Sequence, residues 1–253
     1  MTKGSRLAGK TAMITGGASG FGREMARHFT SEGARCAILD INRDGAEAVA
    51  AEIGGGAMAA HCDVADGPSV RQALAGVTDA FGKLDIAVNN AGWSFTNRPL
   101  MEVSEEDFDR VFAINMKSIY HVTHALVPHW REVGGGVMLN IGSTAGIKPR
   151  PGLTWYNASK AAVNLVSRSL AAELAPDGVR VNCIAPVIGA TAMLETFMGL
   201  PDTPENREKF TSTIPLGRMS EPEDIAHAAV YLCSDEASFV TGVVLEIDGG
   251  RTI

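Results

Sequence analysis

Thr11-Ala12-Met13-Ile14-Thr15-Gly16-Gly17-Ala18-Ser19-Gly20-Phe21-Gly22 is an apolar run that breaks into glycines and reopens as a helix. Residues 11–14 read as a short buried strand. Residues 21–31 have helical spacing, with Met25, Ala26 and Phe29 on one side. Glycines between strand and helix allow a sharp turn and a close approach of backbone to a pyrophosphate, which the positive helix N-terminus favours. Gly16, Ser19, Gly20, Phe21 and Gly22 are therefore candidate contacts to a dinucleotide. The spacing is G-x-x-x-G-x-G, not G-x-G-x-x-G, and in isolation an ordinary tight turn explains it equally well.

The same alternation continues outward. Strands are expected over 34–39, 57–62, 84–88, 136–141, 179–184 and 243–247. Helices are expected over 43–53, 69–81, 154–174 and 223–232, and a long one from Ser104 to about Trp130, with room for a break. Ser104 is a natural cap, and Glu105, Glu106 and Asp107 suit the positive end of a helix. Continuous apolar strands, each followed by a helix, predict a seven-stranded, doubly wound parallel sheet of Rossmann type. No linker or repeat divides the sequence, so a single domain over 1–253 is expected. Segment 189–216, with Pro201, Pro204 and Pro215, fits no clean strand–helix unit and reads as an irregular active-site lid.

The bulk composition narrows the function classes. Across 253 residues, 45% are hydrophobic and 20% charged, the balance of a soluble globular protein long enough for a large core. The net charge of −7 with no basic stripe argues against nucleic acid. No apolar run approaches the roughly 18 residues of a membrane span. The start MTKGSRLAGK lacks the apolar core of a secretion signal. The four cysteines, Cys36, Cys62, Cys183 and Cys233, form no C-x-x-C pair and read as buried thiols in a reducing compartment. The cytoplasm is the expected location.

Two sites carry chemistry. Asp40 closes the second strand 20 residues after Gly20, the offset of about 20 expected of a carboxylate that binds ribose hydroxyls. It would repel a 2′-phosphate, and no Lys or Arg lies between Thr15 and Gly22 to neutralise one. The cofactor expected is NAD(H); Arg43 is a counter-signal, read as the exposed start of a helix. Tyr156 and Lys160 lie four residues apart on one helix face. An ammonium beside a phenol favours the phenolate, so Lys160 is expected to lower the proton affinity of Tyr156. Ser143 ends the fifth strand, facing the cleft. Alone, such a pair is more often a surface pair or a core-edge tyrosine.

Taken together, Thr15-Gly16-x-x-x-Gly20-x-Gly22, Asp63, Asn89-Asn90-Ala91-Gly92, Asn115, Ser143 and Tyr156-Asn157-Ala158-Ser159-Lys160 resemble, in order, the short-chain dehydrogenase/reductases of about this length. The resemblance covers nearly the whole chain. It implies an NAD-dependent oxidoreductase moving a hydride between NAD(H) and a secondary alcohol or ketone, with Tyr156 as proton donor and acceptor. It further implies that Lys160 tunes Tyr156 and binds the nicotinamide ribose, that Ser143 polarises the reacting oxygen, and that Asn115 holds a water in a proton relay. Asp63 and Val64 would contact adenine, and Asn90, Ala91 and Gly92 would support the cofactor. Pro186, Ile188 and Thr191 would meet the nicotinamide end. Val187 stands where the family usually has glycine, which bears on the local backbone there. A homotetramer joined through the long helices is implied by resemblance alone.

Ser94, Thr144, Ile147, Trp155, Met193 and Phe197 are the expected lining of a mostly apolar substrate pocket. Lys148 and Arg150 read as solvated loop charges, with an anionic substrate tail as the alternative. His121 and His124 share a helix face but have no evident third ligand, so no metal is expected. Two other readings stay in view: a non-catalytic NAD(H)-binding regulator on the same fold, and a sugar-nucleotide epimerase, whose family resembles a longer chain.

Overall fold

Seven strands form the sheet: β1 (Thr11–Thr15), β2 (Arg35–Asp40), β3 (Met58–His61), β4 (Ile86–Asn89), β5 (Gly136–Ile141), β6 (Val179–Pro186) and β7 (Val244–Ile247). The computed structural model describes residues 5–191 and 193–253, so residues 1–4 and 192 lie outside the described residues. All pairings are parallel, in the order β3-β2-β1-β4-β5-β6-β7. The order reverses between β1 and β4, and the crevice above their carboxyl ends is where such sheets take ligands.

The helices are α1 (Gly20–Ser31), α2 (Arg43–Ile53), α3 (Gly67–Phe81), α4 (Glu105–Phe112), α5 (Ser118–Val133), α6 (Thr154–Leu174), α7 (Leu194–Met198), α8 (Pro204–Thr211) and α9 (Pro222–Cys233). They cover both faces. Ala12 and Ile14 of β1 point to one core, with Met25 and Phe29 of α1, Val49 of α2 and Ile225 of α9. Met13 points to the other, with Leu74 of α3, Leu126 of α5 and Val163 of α6. Alternate residues of one strand thus feed two cores, which is why the strands are apolar throughout.

The long helix expected from Ser104 is broken once, by a π-helical turn over Ala113–Lys117 between α4 and α5. Ser104 does cap it, accepting the Asp107 N–H at 3.1 Å. Segment 189–216 is not irregular throughout, because it contains α7 and α8. Their signal was faint: α7 spans only 5 residues and α8 buries none, so neither shows an apolar period. The legible sign was Thr203 capping ahead of Pro204, a helix start in residue chemistry alone.

Candidate active site

The ends of β1 and β4 are tied together at the glycine turn. Asn90 Nδ2 donates to the carbonyl oxygens of Thr15 (2.8 Å) and Gly16 (3.1 Å). Thr15 Oγ1 in turn accepts the N–H groups of Asn90 (3.0 Å) and Ala91 (3.1 Å). Gly22 packs behind this turn. A Cβ there would overlap the Gly16 carbonyl oxygen and stand 2.6 Å from Asn90 Nδ2. Ser19 precedes α1 in an extended conformation and makes no side-chain cap, so no side chain occupies the helix's first N–H groups. That arrangement fits a pyrophosphate. Asp40 Oδ2 accepts the Ala18 N–H at 3.0 Å and Oδ1 the Asn42 N–H at 2.9 Å. Each oxygen keeps a further lone pair for a ribose hydroxyl.

A cavity of about 570 Å³ runs from this turn across the sheet. Of the expected cofactor contacts, Gly16, Ser19, Gly20, Phe21, Asp40, Asp63 and Val64 line it. So do Asn90, Ala91, Gly92, Tyr156, Lys160, Pro186, Ile188 and Thr191. Gly22 lies behind the wall. The residues present, from Asp40 at one end to the nicotinamide-side positions at the other, fit an extended dinucleotide.

At the far end, Ser143, Tyr156 and Lys160 share the cavity wall. Lys160 is buried, and its Nζ donates to the Ile141 carbonyl oxygen at 2.8 Å. A buried polar ladder fixes α6 on the sheet: Asn89 Nδ2 donates to Asn140 Oδ1 (2.8 Å), and Asn140 Nδ2 to Ser167 Oγ (2.9 Å). Ser143 Oγ accepts the Ala145 N–H at 3.0 Å, which leaves its own O–H free to donate. Asn115 sits in the π-helical turn and does not line the cavity. Its Oδ1 accepts the Trp93 N–H (2.8 Å), and its Nδ2 donates to Trp93 O and Ser159 Oγ, both at 3.0 Å. It therefore clamps the loop after β4 to α6; extra turns of this kind often mark functional positions.

The electrostatics depart from the sequence expectation. Burial pushes the Tyr156 phenol up to about 12, with Ser143 and the Arg150 charge pulling part of the way back. Burial pulls the Lys160 ammonium down to about 8. In the chain by itself, burial outweighs the pull of neighbouring groups on Tyr156, and Lys160 Nζ is turned to the Ile141 carbonyl.

Among the expected pocket residues, Thr144, Met193 and Phe197 line the cavity, and so do Lys148 and Arg150. Ser94, Trp155 and Ile147 do not. Ser94 Oγ is buried on the Phe95 carbonyl, Trp155 packs edge-on to Phe108 at 5.2 Å, and Ile147 is exposed. The sequence reading missed Trp93, Arg110, Lys209, Phe210 and Arg251, which also line the cavity. They arrive from loops and short helices remote in sequence, and no local pattern marks them.

Residues 16–252 match a protein family described as enoyl-(acyl carrier protein) reductase. The chain is 47% identical over 247 residues to the 4-formylbenzenesulfonate dehydrogenase of Comamonas testosteroni, covering 96% of this chain and 98% of that protein. A short-chain type dehydrogenase/reductase from Mycobacterium marinum superposes with a TM-score of 0.90 at 33% identity, over 97% of this chain and 96% of that one. The chain belongs to the short-chain dehydrogenase/reductase family. A 3-ketoacyl-(acyl-carrier-protein) reductase from Brucella melitensis, solved with NADH, superposes with a TM-score of 0.93 at 45% identity, over 98% and 100% of the two chains.

Within this short-chain dehydrogenase/reductase, Val187 is accommodated without strain. No described residue other than glycine has a positive φ, and Val187 N–H is engaged by the Ile247 carbonyl at 3.2 Å. Nearby, a Cβ at Gly189 would press on the ring of Phe21.

Proposed function

We propose that this protein is an NAD(H)-dependent oxidoreductase that interconverts a secondary alcohol and its ketone, with Tyr156 giving and taking the proton. One observation carries the reading: the buried Tyr156 phenol, Lys160 ammonium and Ser143 hydroxyl line one end of a cavity whose other end holds Asp40. Bound nicotinamide supplies the hydride. Asp40 accepts the adenosine ribose hydroxyls and disfavours a 2′-phosphate. Ser143 donates its free proton to the substrate oxygen and orients it. Tyr156, held protonated by burial, is a proton donor ready for reduction. Lys160 spends one donor on Ile141, leaving two for the ribose and the phenol. Asn115 keeps the loop after β4 in place, and its one unengaged Oδ1 lone pair is what it can offer a relay water. The whole chain acts as one domain, with segment 189–216 as the lid over the reacting end. The alcohol dehydrogenase reading predicts NADH oxidation with one or more ketones in a panel that includes aryl carbonyls, which the Comamonas relative's name suggests. NADH binding without turnover of any of them overturns it.

We further propose a cytoplasmic homotetramer. The four cysteines are unpaired and buried, as expected of a reducing compartment. Among the described residues no helix is long and apolar enough to cross a membrane. Tyr120 on α5 and Leu165 on α6 are exposed apolar side chains on the helices expected to meet a partner subunit. Sedimentation equilibrium at the monomer mass would refute the assembly.

A further inference from the structure

The two ends of the cavity carry opposite charge. Among the described residues its only acidic lining residues, Asp40 and Asp63, lie at the end read as the adenosine site. Around the reacting end stand Arg110, Arg150, Lys209 and Arg251. Among the described residues, none of these four cations is in a salt bridge.

Arg150 is held in place without an acid. Its carbonyl oxygen accepts Asn157 Nδ2 at 2.8 Å, which ties it to the residue beside Tyr156. Its guanidinium carbon lies 4.6 Å from the ring centroid of Phe210 on α8, a cation–π seat. It lines the same cavity as Tyr156, and its charge favours the phenolate. Arg251 comes from the opposite end of the chain. The tail is fastened by Lys148, whose Nζ donates to the Arg251 carbonyl oxygen at 3.2 Å. Lys148 keeps its positive charge on the cavity wall, and Asp248 is engaged by Thr252 and Gly250. Burial and the neighbouring Arg251 hold the Arg150 guanidinium below its usual value. A half-buried guanidinium beside a second one, lacking a carboxylate, gains most from an incoming oxyanion, which it can meet with two parallel N–H bonds.

We infer that the substrate carries a carboxylate or sulfonate, which Arg150 and Arg251 hold while its carbonyl carbon faces Tyr156. This rests on the oxidoreductase reading for the carbonyl, but not for the anion. Phe210 and Phe197 supply apolar walls between the two ends, suited to a ring or short hydrocarbon spacer.

The test is calorimetry of 4-acetylbenzoate, 4-acetylbenzenesulfonate and uncharged 4-methylacetophenone on the protein saturated with NAD⁺, which cannot reduce a ketone. At least one anion should bind tenfold or more tightly than the uncharged ketone. In Arg150→Met that advantage should shrink by about 10- to 100-fold, the worth of a charge-assisted hydrogen bond. Arg150→Lys should keep part of it. Equal affinity of charged and uncharged ketones in the unaltered protein overturns the inference, and needs no variant to fold. So does an anion advantage that survives Arg150→Met. Turnover of the same ketones with NADH is followed in parallel. Anion preference without turnover refutes the oxidoreductase reading alone, whereas turnover without preference refutes the anion site alone.

Discussion

The ring of Phe197, on α7, lies 5.1 Å from the ring of Tyr156, on α6. Helix α7 thus helps keep water from the phenol, and burial is what pushes Tyr156 up to about 12. Phe197→Ala admits water and should bring the phenol back toward the ordinary value of about 10. Reduction needs the protonated phenol, so its alkaline limit moves to lower pH. Ultraviolet titration of phenolate, taken as the difference from Tyr156→Phe, reads the shift; an unmoved curve refutes this cause.

Tyr156→Phe removes only the hydroxyl. Turnover should fall by about 100- to 10,000-fold, the usual worth of a general acid. NADH binding, followed by fluorescence, should persist because the cofactor's other contacts remain. Substantial residual turnover would mean that the acid lies elsewhere.

Gly22→Ala tests the close approach behind the turn. The added methyl must displace the Gly16 carbonyl or Asn90 Nδ2. Overpacking of this kind costs about 1–3 kcal/mol. The melting temperature should fall and NADH binding weaken together, because one displaced turn serves both. A fall in stability with unchanged NADH affinity would separate the turn from the cofactor.

Asp40→Ala removes the carboxylate that also holds the Ala18 and Asn42 N–H groups. The kcat/KM with NADH should drop by about 10- to 100-fold, and the NADH-over-NADPH preference should shrink. An unchanged ratio of the two cofactors would refute its role in selection.

Stability should decline at alkaline pH. Burial pushes Cys36 and Cys183 up to about 11 and Cys62 and Cys233 up to about 12. Above the ordinary thiol value of about 8.5, the unfolded chain loses protons that the folded chain keeps, so stability falls as pH rises. Tyr156 adds to this above about 10. Lys160 acts in the opposite sense. Its folded value of about 8 lies below the ordinary value of about 10.4, so it adds stability through that window. The raised groups outnumber it, and the melting temperature under reducing conditions should fall steadily above pH 9. A flat or rising profile would contradict the burial of these groups.

Much of this molecule was local pattern. Apolar runs beside amphipathic stretches announced strands and helices, a glycine turn announced the first crossover, and Asp40 and the Tyr156–Lys160 pair stood at fixed offsets. Such signals survive in sequence because neighbours in the chain share a face or a turn whatever else the protein does. Tertiary structure alone decided which distant pieces meet. It set the strand reversal beside β1, brought Arg251 from the chain end to Arg150, and turned Ser94 and Trp155 away from the cavity. It also decided how deeply Tyr156 is buried. Proton affinity follows how much water is excluded, and that depends on packing by residues such as Phe197, far off in sequence.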